Sequence, residues 1–556
     1  MISQRNIRIL ILIAAAVYMT GCTSGYISRK DSIYSYQESI VEKGPQKRVS
    51  AEGLDVQIPA EEQRLPPLQV ISDEVNAKTY VNLSLEDAIV RVLANSPEIR
   101  IVSVDPSIAK KEIVRAASGF DVNFYSKLEY DRQDNPTDSL FQGGQTESRL
   151  LETGLKQRIV TGAEWQLTYA LSRSWDDLIS RSIDTRFEPV LFFQLKQPLL
   201  QDAWMSVNLA GVNISKLNYK AALSSFRQRS EDLLTDVISL YWTFIQSRHD
   251  YEVQEWLMEK TNETLSKLEG RRNIDATILQ MKQAESSLKS RRAILLQAKK
   301  RLIDVQDEIV RLISDNQLNL LSDVEILTTT MPDMKEAEFK EAEIIEHALA
   351  NNPGLMQSRL AVEVADINLK LAKRQKAPRL DLIASTRVQG LADSSGAAHD
   401  MFYDTDYTSY MIGMTFEYPI GNRGRKAEYE QRRLEYSKAV STLQNNSDVV
   451  TTEVKERIRL ANRAYEEMHV QKEAADAAEI YLQALEDLEV IREKLTPEFL
   501  LVKLQAQESL AEARRAEVKG IIEFNIALAR VAQSAGTVLD LAYVQTPFKN
   551  VSSPGE

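Results

Sequence analysis

The chain carries one long pattern twice. LANSPEI at 93–99 returns as LANNPGL at 349–355. Each is followed by a helix-like stretch, an alternating strand-like stretch, a Pro-centred strand exit and a long charged helix. The exits are QPLL with Pro198 and YPIG with Pro419, and the distal segments are QAESSL with Ala284 and QAQESL with Ala506. A long repeat mixing strand and helix is a tandem duplication of one large unit, not a solenoid of small ones. Each copy must therefore accommodate a sheet and a helix too long for an ordinary globular domain.

The strand evidence is a period of two. Phe120, Val122, Phe124, Leu128 and Tyr130 interleave with Asp121, Asn123, Lys127 and Glu129. Leu151, Leu155 and Ile159 interleave with Glu152, Lys156 and Arg158; Trp165, Leu167, Tyr169 and Leu171 with Gln166, Thr168 and Ser172. The second copy has Leu380, Leu382, Ala384 and Val388, then Tyr410, Ile412, Met414, Phe416 and Tyr418. Segments of about 10 residues with one apolar face match transmembrane β-barrels. Trp165, Trp175, Phe187, Tyr410 and Tyr418 near the ends suit an interfacial girdle. A soluble sandwich, in which the apolar face meets a core, fits the alternation equally well.

Residues 134–148 and 390–406 read as outward-facing loops, and Thr161-Gly162 as a tight turn on the opposite side. From Pro97 to Pro198 is 101 residues and from Pro353 to Pro419 is 66, so the first copy is 35 residues longer. An extra hairpin near 149–174 accounts for the difference.

From 205 to about 270 there is no Pro, and Gly211 and Gly270 are the only glycines. A helix of that length spans roughly 100 Å at about 1.5 Å per residue. A similar stretch runs from 422 to 494, where Val454, Ile458, Ala461, Tyr465 and Met468 step as a heptad seam. Return helices are expected over 275–313 and 497–535. Short helices near 98–118 and 354–377 supply the missing length of a uniform tube wall. Thr496-Pro497-Glu498 is a helix start, and Asp275 is the expected cap in the first copy.

Arg5, Arg8 and the apolar run Ile9 to Val17 form a targeting segment, and Met19-Thr20-Gly21-Cys22 resembles a lipoprotein cleavage site. Cys22 is the one cysteine and is the expected lipid acceptor. Residues 23–82, with Pro59, Pro66 and Pro67, read as an extended arm, followed by the capping pattern Ser84 to Asp87. Net charge is −12, and −14 once Arg5 and Arg8 are removed, which argues against a nucleic-acid partner. The remainder has no apolar run of about 20 residues, so any membrane crossing would be a closed barrel.

No chemistry-bearing constellation emerges. His249, His347, His399 and His469 are scattered, and neither HExxH nor CxxC occurs. Gly421 to Arg425 lacks phosphate-loop spacing and reads as an elbow between strand and helix. No enzyme activity, metal or cofactor is expected. Acidic residues on the helices read as a solvated face, part of which would line a lumen and favour cationic cargo.

These features together resemble the TolC-like outer-membrane efflux proteins in their lipoprotein form, over about 83 to 540. LSLEDAIVRVLANSPEI, QLKQPLLQDA, AEIIEHALANNPGL, AKRQKAPRLDL, TFEYPIGNRGRKAEYE and ALARVAQSAGTVL carry the resemblance by their order and spacing. It implies an α+β, mainly α fold: a homotrimer sharing an outer-membrane β-barrel of four strands per protomer, continued by a long periplasmic coiled-coil α-barrel. The extra hairpin would stand outside the barrel, or six strands per protomer would make a larger pore; the first is expected. The implied organisation is a signal peptide at 1–21, anchor and arm at 22–82, a first repeat at 83–320 (strands 119–200, helical hairpin 205–313), a second repeat at 321–540 (strands 379–419, helical hairpin 422–535) and a tail at 541–556.

The implied function is a passive duct of a tripartite efflux or type I secretion system. It would serve a periplasmic adaptor and an inner-membrane pump, touch outer-membrane lipid, and be gated at the helical tips. Leu495, Thr496, Glu498, Val502 and Gln505 are the candidate constriction. Arg271, Arg272, Asp275 and Gln280 are the candidate adaptor contact. The aspartates often found at the family's entrance are replaced by Val502 and Gln505, and the tip glycines by Ile274 and Thr496. A structural coiled-coil lipoprotein acting as periplasmic spacer is the alternative; it leaves the duplicated apolar-faced strands unexplained.

Overall fold

The computed structural model describes residues 68–73, 78–136, 144–177, 183–272, 276–315, 318, 324–491 and 496–539. Cys22, the targeting segment, the arm up to residue 67 and the tail from 540 lie outside the described residues. The chain divides into two compact units, one holding residues 108–220 and 359–442, the other 68–107, 221–358 and 443–539 of the described chain.

The first unit is built on one antiparallel sheet. Its strands are β3 (Asn123–Asp134), β4 (Gln145–Arg158), β5 (Glu164–Asp176), β6 (Thr185–Pro198), β8 (Arg379–Gln389) and β9 (Thr408–Glu417), hydrogen-bonded in that order. This corrects the expectation of four strands with a hairpin outside. β4 and β5 form the hairpin expected near 149–174, and they lie inside the sheet, paired along their length with β3 and β6. The reason is phase. Phe124, Leu155, Leu167, Phe193 and Thr386 form one row across the register, so the hairpin's apolar side chains fall on the same face as its neighbours'.

The hairpin turn is tied down as well. Gly162 sits at φ +89°, and a Cβ there would lie 2.4 Å from the carbonyl oxygen of Asp202. Arg158 donates to Asn208 Oδ1 at 2.8 Å, and Asn208 Nδ2 donates to the Asp202 carbonyl at 2.9 Å. The segment 390–406 is not a plain loop. Residues Ser395–Asp404 form a helix whose Ala398 is buried, and Tyr169 Oη lies 2.8 Å from His399 Nε2. After β9 the chain turns through Gly421 (φ +90°) and Asn422 (φ +44°), whose Nδ2 donates to the Lys376 carbonyl at 3.0 Å. Gly421 to Arg425 is thus a left-handed elbow, not a ligand loop.

In the second unit, β1 (Val70–Asp73), β2 (Lys78–Leu83) and β7 (Val324–Thr328) make a small mixed sheet. Ser84 caps α1 (Leu85–Asn95): its Oγ accepts from Asp87 N–H at 3.0 Å. Tyr241, almost fully buried, donates to the Leu83 carbonyl at 3.0 Å and accepts from Thr330 N–H at 3.2 Å. It lies in a core that includes Val81, Leu83, Val92, Leu234, Phe244, Ile313 and Ile522.

The long helices are α4 (Ala210–Gly270) and α9 (Arg423–Ile491), and the returning ones are α5 (Ile278–Ile313) and α10 (Pro497–Ala535). Helices α2 (Pro97–Ala117), α3 (Met205–Asn208), α6 (Glu341–Asn351), α7 (Pro353–Gln375) and α8, the Ser395–Asp404 helix, complete the set. On α9, Val454, Ile458, Ala461 and Met468 are buried, and the seam continues through Ala475, Leu482 and Leu485. At Gly520 of α10 a Cβ would stand 3.2 Å from Met468 Cα, so the two helices approach closely there.

His249 on α4 is half-buried, and desolvation lowers its pKa below the ordinary imidazole value, against the opposing pull of Glu252 and Asp250. It is therefore neutral at pH 7. A depressed folded-state pKa makes its contribution complete above about pH 6.5 and lost as pH falls from there. Thermal melts between pH 7.5 and 5 should show destabilisation on acidification that is smaller in His249→Gln than in the unsubstituted chain. Equal pH dependence would refute the assignment.

Candidate functional site

The ends of the two helical hairpins pack together. Leu268 of α4 and Ala284 of α5 form a cluster with Leu500 and Leu504 of α10. On its other side α10 packs Phe499, Ala506 and Leu510 against Leu482 and Leu485 of α9.

The first hairpin end closes through a capping box. Thr277 is the N-cap of α5, not Asp275, which lies outside the described residues. Thr277 N–H donates to Gln280 Oε1 at 2.8 Å, and Gln280 N–H to Thr277 Oγ1 at 3.3 Å. Gln280 is 1% exposed, so its carboxamide serves this turn and offers no free surface. Arg271 and Arg272 lie in the turn itself, half-buried and exposed respectively. At the second end Thr496 caps α10, accepting from Phe499 N–H at 3.3 Å with Pro497 at the first position. Leu495 lies outside the described residues.

Glu498, Val502 and Gln505 come together. They are exposed, and their spacing of four and three residues places them on one stripe of α10, with Leu501 and Glu508 alongside. Acids stand only at the two ends of this stripe. Its middle is Leu501, Val502 and Gln505, an apolar and neutral stretch.

Behind the stripe lie charges that sequence reading did not single out. Arg291 of α5, with its side chain 5% exposed, reaches between α4 and α10. Its Nη1 bonds Thr261 Oγ1 and donates to Gln507 Oε1 at 3.3 Å, and its Nη2 donates to the Leu504 carbonyl at 2.8 Å. Burial lowers its pKa and Glu508, 3.8 Å away, opposes this, so it stays charged at neutral pH. Lys503, equally buried, pairs with Glu489 of α9, and Lys267 of α4 stands 3.8 Å from the same carboxylate. Arg291 sits in a polar heptad neighbourhood where a cation reads as solvated; two of its partners, Gln507 and Leu504, are over 200 residues away.

The sheet of the first unit has two unlike faces. One carries Phe124, Leu128, Leu155, Leu167, Leu171, Leu191, Phe193, Leu382, Ile412 and Phe416 in successive register rows. On the outer strands these are bare: Leu128 is 80% and Ile412 79% exposed. The other face carries Glu152, Gln166, Thr168, Ser172, Gln194, Lys196, Ser385 and Arg387. There Gln166 donates to Tyr125 Oη at 2.7 Å, and Asp381 is held by Arg379 at 2.9 Å and Lys196 at 3.3 Å. From Trp165 to Trp175 the apolar face extends about 33 Å along the strand, or about 25 Å across at a tilt near 40°. No helix among the described residues is long and apolar enough to cross a membrane. Among the described residues no group of three or more His, Cys, Asp or Glu is placed to hold a metal ion.

Comparison with known proteins points one way. Residues 344–488 match the family model "Outer membrane efflux protein". Outer membrane protein TolC of Escherichia coli (strain K12) is 28% identical over 171 residues, 29% of this chain and 33% of TolC, so the aligned stretch spans about a third of that relative. The Campylobacter jejuni CmeC outer membrane channel superposes with a TM-score of 0.63 at 13% identity, covering 82% of this chain and 86% of CmeC. A membrane protein from Pseudomonas aeruginosa gives 0.61 at 15% identity, covering 81% and 93%. These solved structures establish the fold alone. The family model and TolC give the sequence similarity that marks the chain as similar to the TolC-like outer-membrane efflux proteins.

Arg291→Met keeps the buried stem but removes three hydrogen bonds. It should loosen the junction of the hairpins by about 2–3 kcal/mol. Hydrogen exchange should report this as lost protection around 257–265 and 500–510, with the strand unit unchanged; unaltered protection would exclude the link.

Proposed function

We propose that this chain, similar to the outer-membrane efflux proteins, is a passive outer-membrane duct. It would conduct small molecules or proteins outward from a periplasmic adaptor and an inner-membrane pump, without catalysis. The observation that carries the reading is a sheet with one apolar face, exposed on its outer strands and partly covered by α8 near Tyr169, one polar face and, among the described residues, two unpaired edges, β3 and β9. In lipid an open edge leaves backbone groups unsatisfied, so such a sheet must close with others. Six strands are fewer than the eight of the smallest membrane barrels, so closure needs further copies of the chain.

A homotrimer, as the resemblance implies, would then carry eighteen strands instead of twelve. That is the size class of water-filled porins and about half again as wide as a twelve-stranded wall. The apolar face would meet lipid and the polar face the lumen. Cys22 would carry the lipid anchor, residues 22–82 the arm, and 83–320 and 321–540 two tandem repeats of one unit. A tail would follow from 541.

Gating belongs to the hairpin ends in this reading. Glu498, Val502 and Gln505, with Leu495 and Thr496, would form the constriction, and Arg271 and Arg272, with Asp275, the adaptor-facing turn. Opening would be a population shift between two packings of the hairpins. A neutral stripe where the family often has acids gives a constriction with little intrinsic hold on cations.

Two measurements test this. Spin labels placed singly along β4 and β5 in nanodiscs should alternate. Oxygen access should peak at 151, 155, 167 and 171, and access of a water-soluble relaxer at 148, 152, 172 and 174, with native mass giving three copies. Alternation kept in β6 and β9 but lost in β4 and β5 would remove the wide wall and leave the duct. Loss in all four strands, or a soluble monomer, would remove the duct itself and favour a periplasmic spacer. In planar bilayers, a bulky maleimide on Val502→Cys or Gln505→Cys should reduce single-channel conductance at least about twofold by steric occlusion of a narrow pore. Unchanged conductance would move the constriction elsewhere.

A further inference from the structure

Two arginines stand side by side on the apolar face of the sheet, near the end bearing the inter-strand loops. The register sets Arg149 of β4 directly opposite Arg173 of β5, and the same row ends in Tyr130 on one side and Phe187 on the other. Arg149 lies over the Tyr130 ring at 5.6 Å and Arg173 over the Phe187 ring at 5.9 Å. Like charges directly opposed on adjacent strands destabilise a sheet, and a surface otherwise turned to lipid makes each of them more costly.

Glu147 offsets part of this charge. It accepts from Arg149 Nε at 3.1 Å and Nη2 at 2.8 Å, and Arg132 stands opposite it in the next row. Among the described residues Arg173 makes no ion pair, only the stack on Phe187. One row further from the loops, Leu128, Leu151 and Leu171 lie in register, and with the arginine row they line a cleft of about 440 Å³. Glu129, which also borders the cleft, is paired with Lys127, so among the described residues Arg173 is left as the cation of the row without a carboxylate partner.

We infer that this cleft binds the phosphate of an anionic lipid, with an acyl chain laid over the three leucines. The inference rests on the reading of this face as lipid-facing. A phosphate between the guanidinium groups accepts paired hydrogen bonds from each and turns a repulsive pair into an attractive one. The leucine floor distinguishes a lipid from a free anion, because only a lipid supplies a chain to cover it. The depth agrees: the arginines lie two residues inside Trp175, about 5 Å below the level of that ring at the tilt given above. Both arginines belong to the β4–β5 hairpin, so the site exists only because that hairpin is part of the wall.

The test uses the full-length assembly in phosphatidylcholine nanodiscs doped with phosphatidylglycerol or with diphosphoryl lipid A, with bound lipid counted by native mass spectrometry. The unsubstituted protein should retain the anionic lipid selectively. Arg149→Gln with Arg173→Gln should weaken retention by about tenfold or more, while Arg387→Gln on the opposite face should not. Arg149→Leu with Arg173→Leu suits the face to lipid, so it should insert as well as the unsubstituted protein and still lose the selectivity. Equal retention in the arginine variants would overturn the site, as would displacement of the lipid by millimolar inorganic phosphate, which would mark a free-anion site. An unsubstituted protein that inserts without preferring anionic lipid also overturns it, yet leaves the duct standing. Failure to insert at all would instead overturn the duct.

Discussion

The need to pair every backbone N–H and C=O governs this molecule more than any single contact. In the strand unit it is met by six antiparallel strands that share one phase, so that a row such as Phe124, Leu155, Leu167 and Phe193 crosses four of them without a break. A strand one residue out of phase would turn its apolar set to the polar side. The fixed phase also dictates the features at the rim. Gly162 has no room for a side chain against Asp202, and Gly421 with Asn422 carries the chain from β9 into α9 through a left-handed elbow. What this unit does not satisfy within one chain is the outer side of β3 and β9. Under the proposed duct, further copies of the chain would meet that deficit.

The helical unit solves a different problem. Helices of 61 and 69 residues cannot bury a continuous apolar stripe in a globular core, so they pack as seams. Along α9 the seam is regular from Val454 to Leu485. Near the hairpin ends it is supplemented by charge: Arg291 bridges α4 and α10, and Lys503 pairs with Glu489. A buried ion pair adds less stability than specificity of arrangement, since the wrong arrangement strands a charge. Polar links at a place proposed to open and close are easier to exchange with water than a fully apolar seam.

The β4–β5 hairpin is where the sheet departs from the four strands that the resemblance implies. It widens the sheet, and it brings the only directly opposed arginines in the register rows of the apolar face. The polar face gains Glu152, Gln166, Thr168 and Ser172 from the same two strands.

Periodicity is local, and what depends on it was legible in the chain: alternation around Trp165–Leu171 and Tyr410–Phe416 marked strands, the steps from Val454 to Met468 marked a seam, and Ser84 and Thr496 marked helix starts. The 35-residue excess located the hairpin but not its place, because alternation looks the same beside a sheet and within it. The cap of α5 was misplaced by two residues because Asp275 and Thr277 are both good caps and the capping box needs Gln280 to fold back. Glu498, Val502 and Gln505 were named from the resemblance, and their common exposed stripe appears once α10 is formed. The burial of Arg291 did not follow from spacing, nor did the pairing of Arg149 with Arg173, since each depends on which residue of a distant segment lies opposite. The sequence by itself determined the elements and their apolar faces, through interactions spanning a few residues. Strand order, register and the partners of the buried charges were decided only by the tertiary structure, because they join segments that only the packed chain brings together.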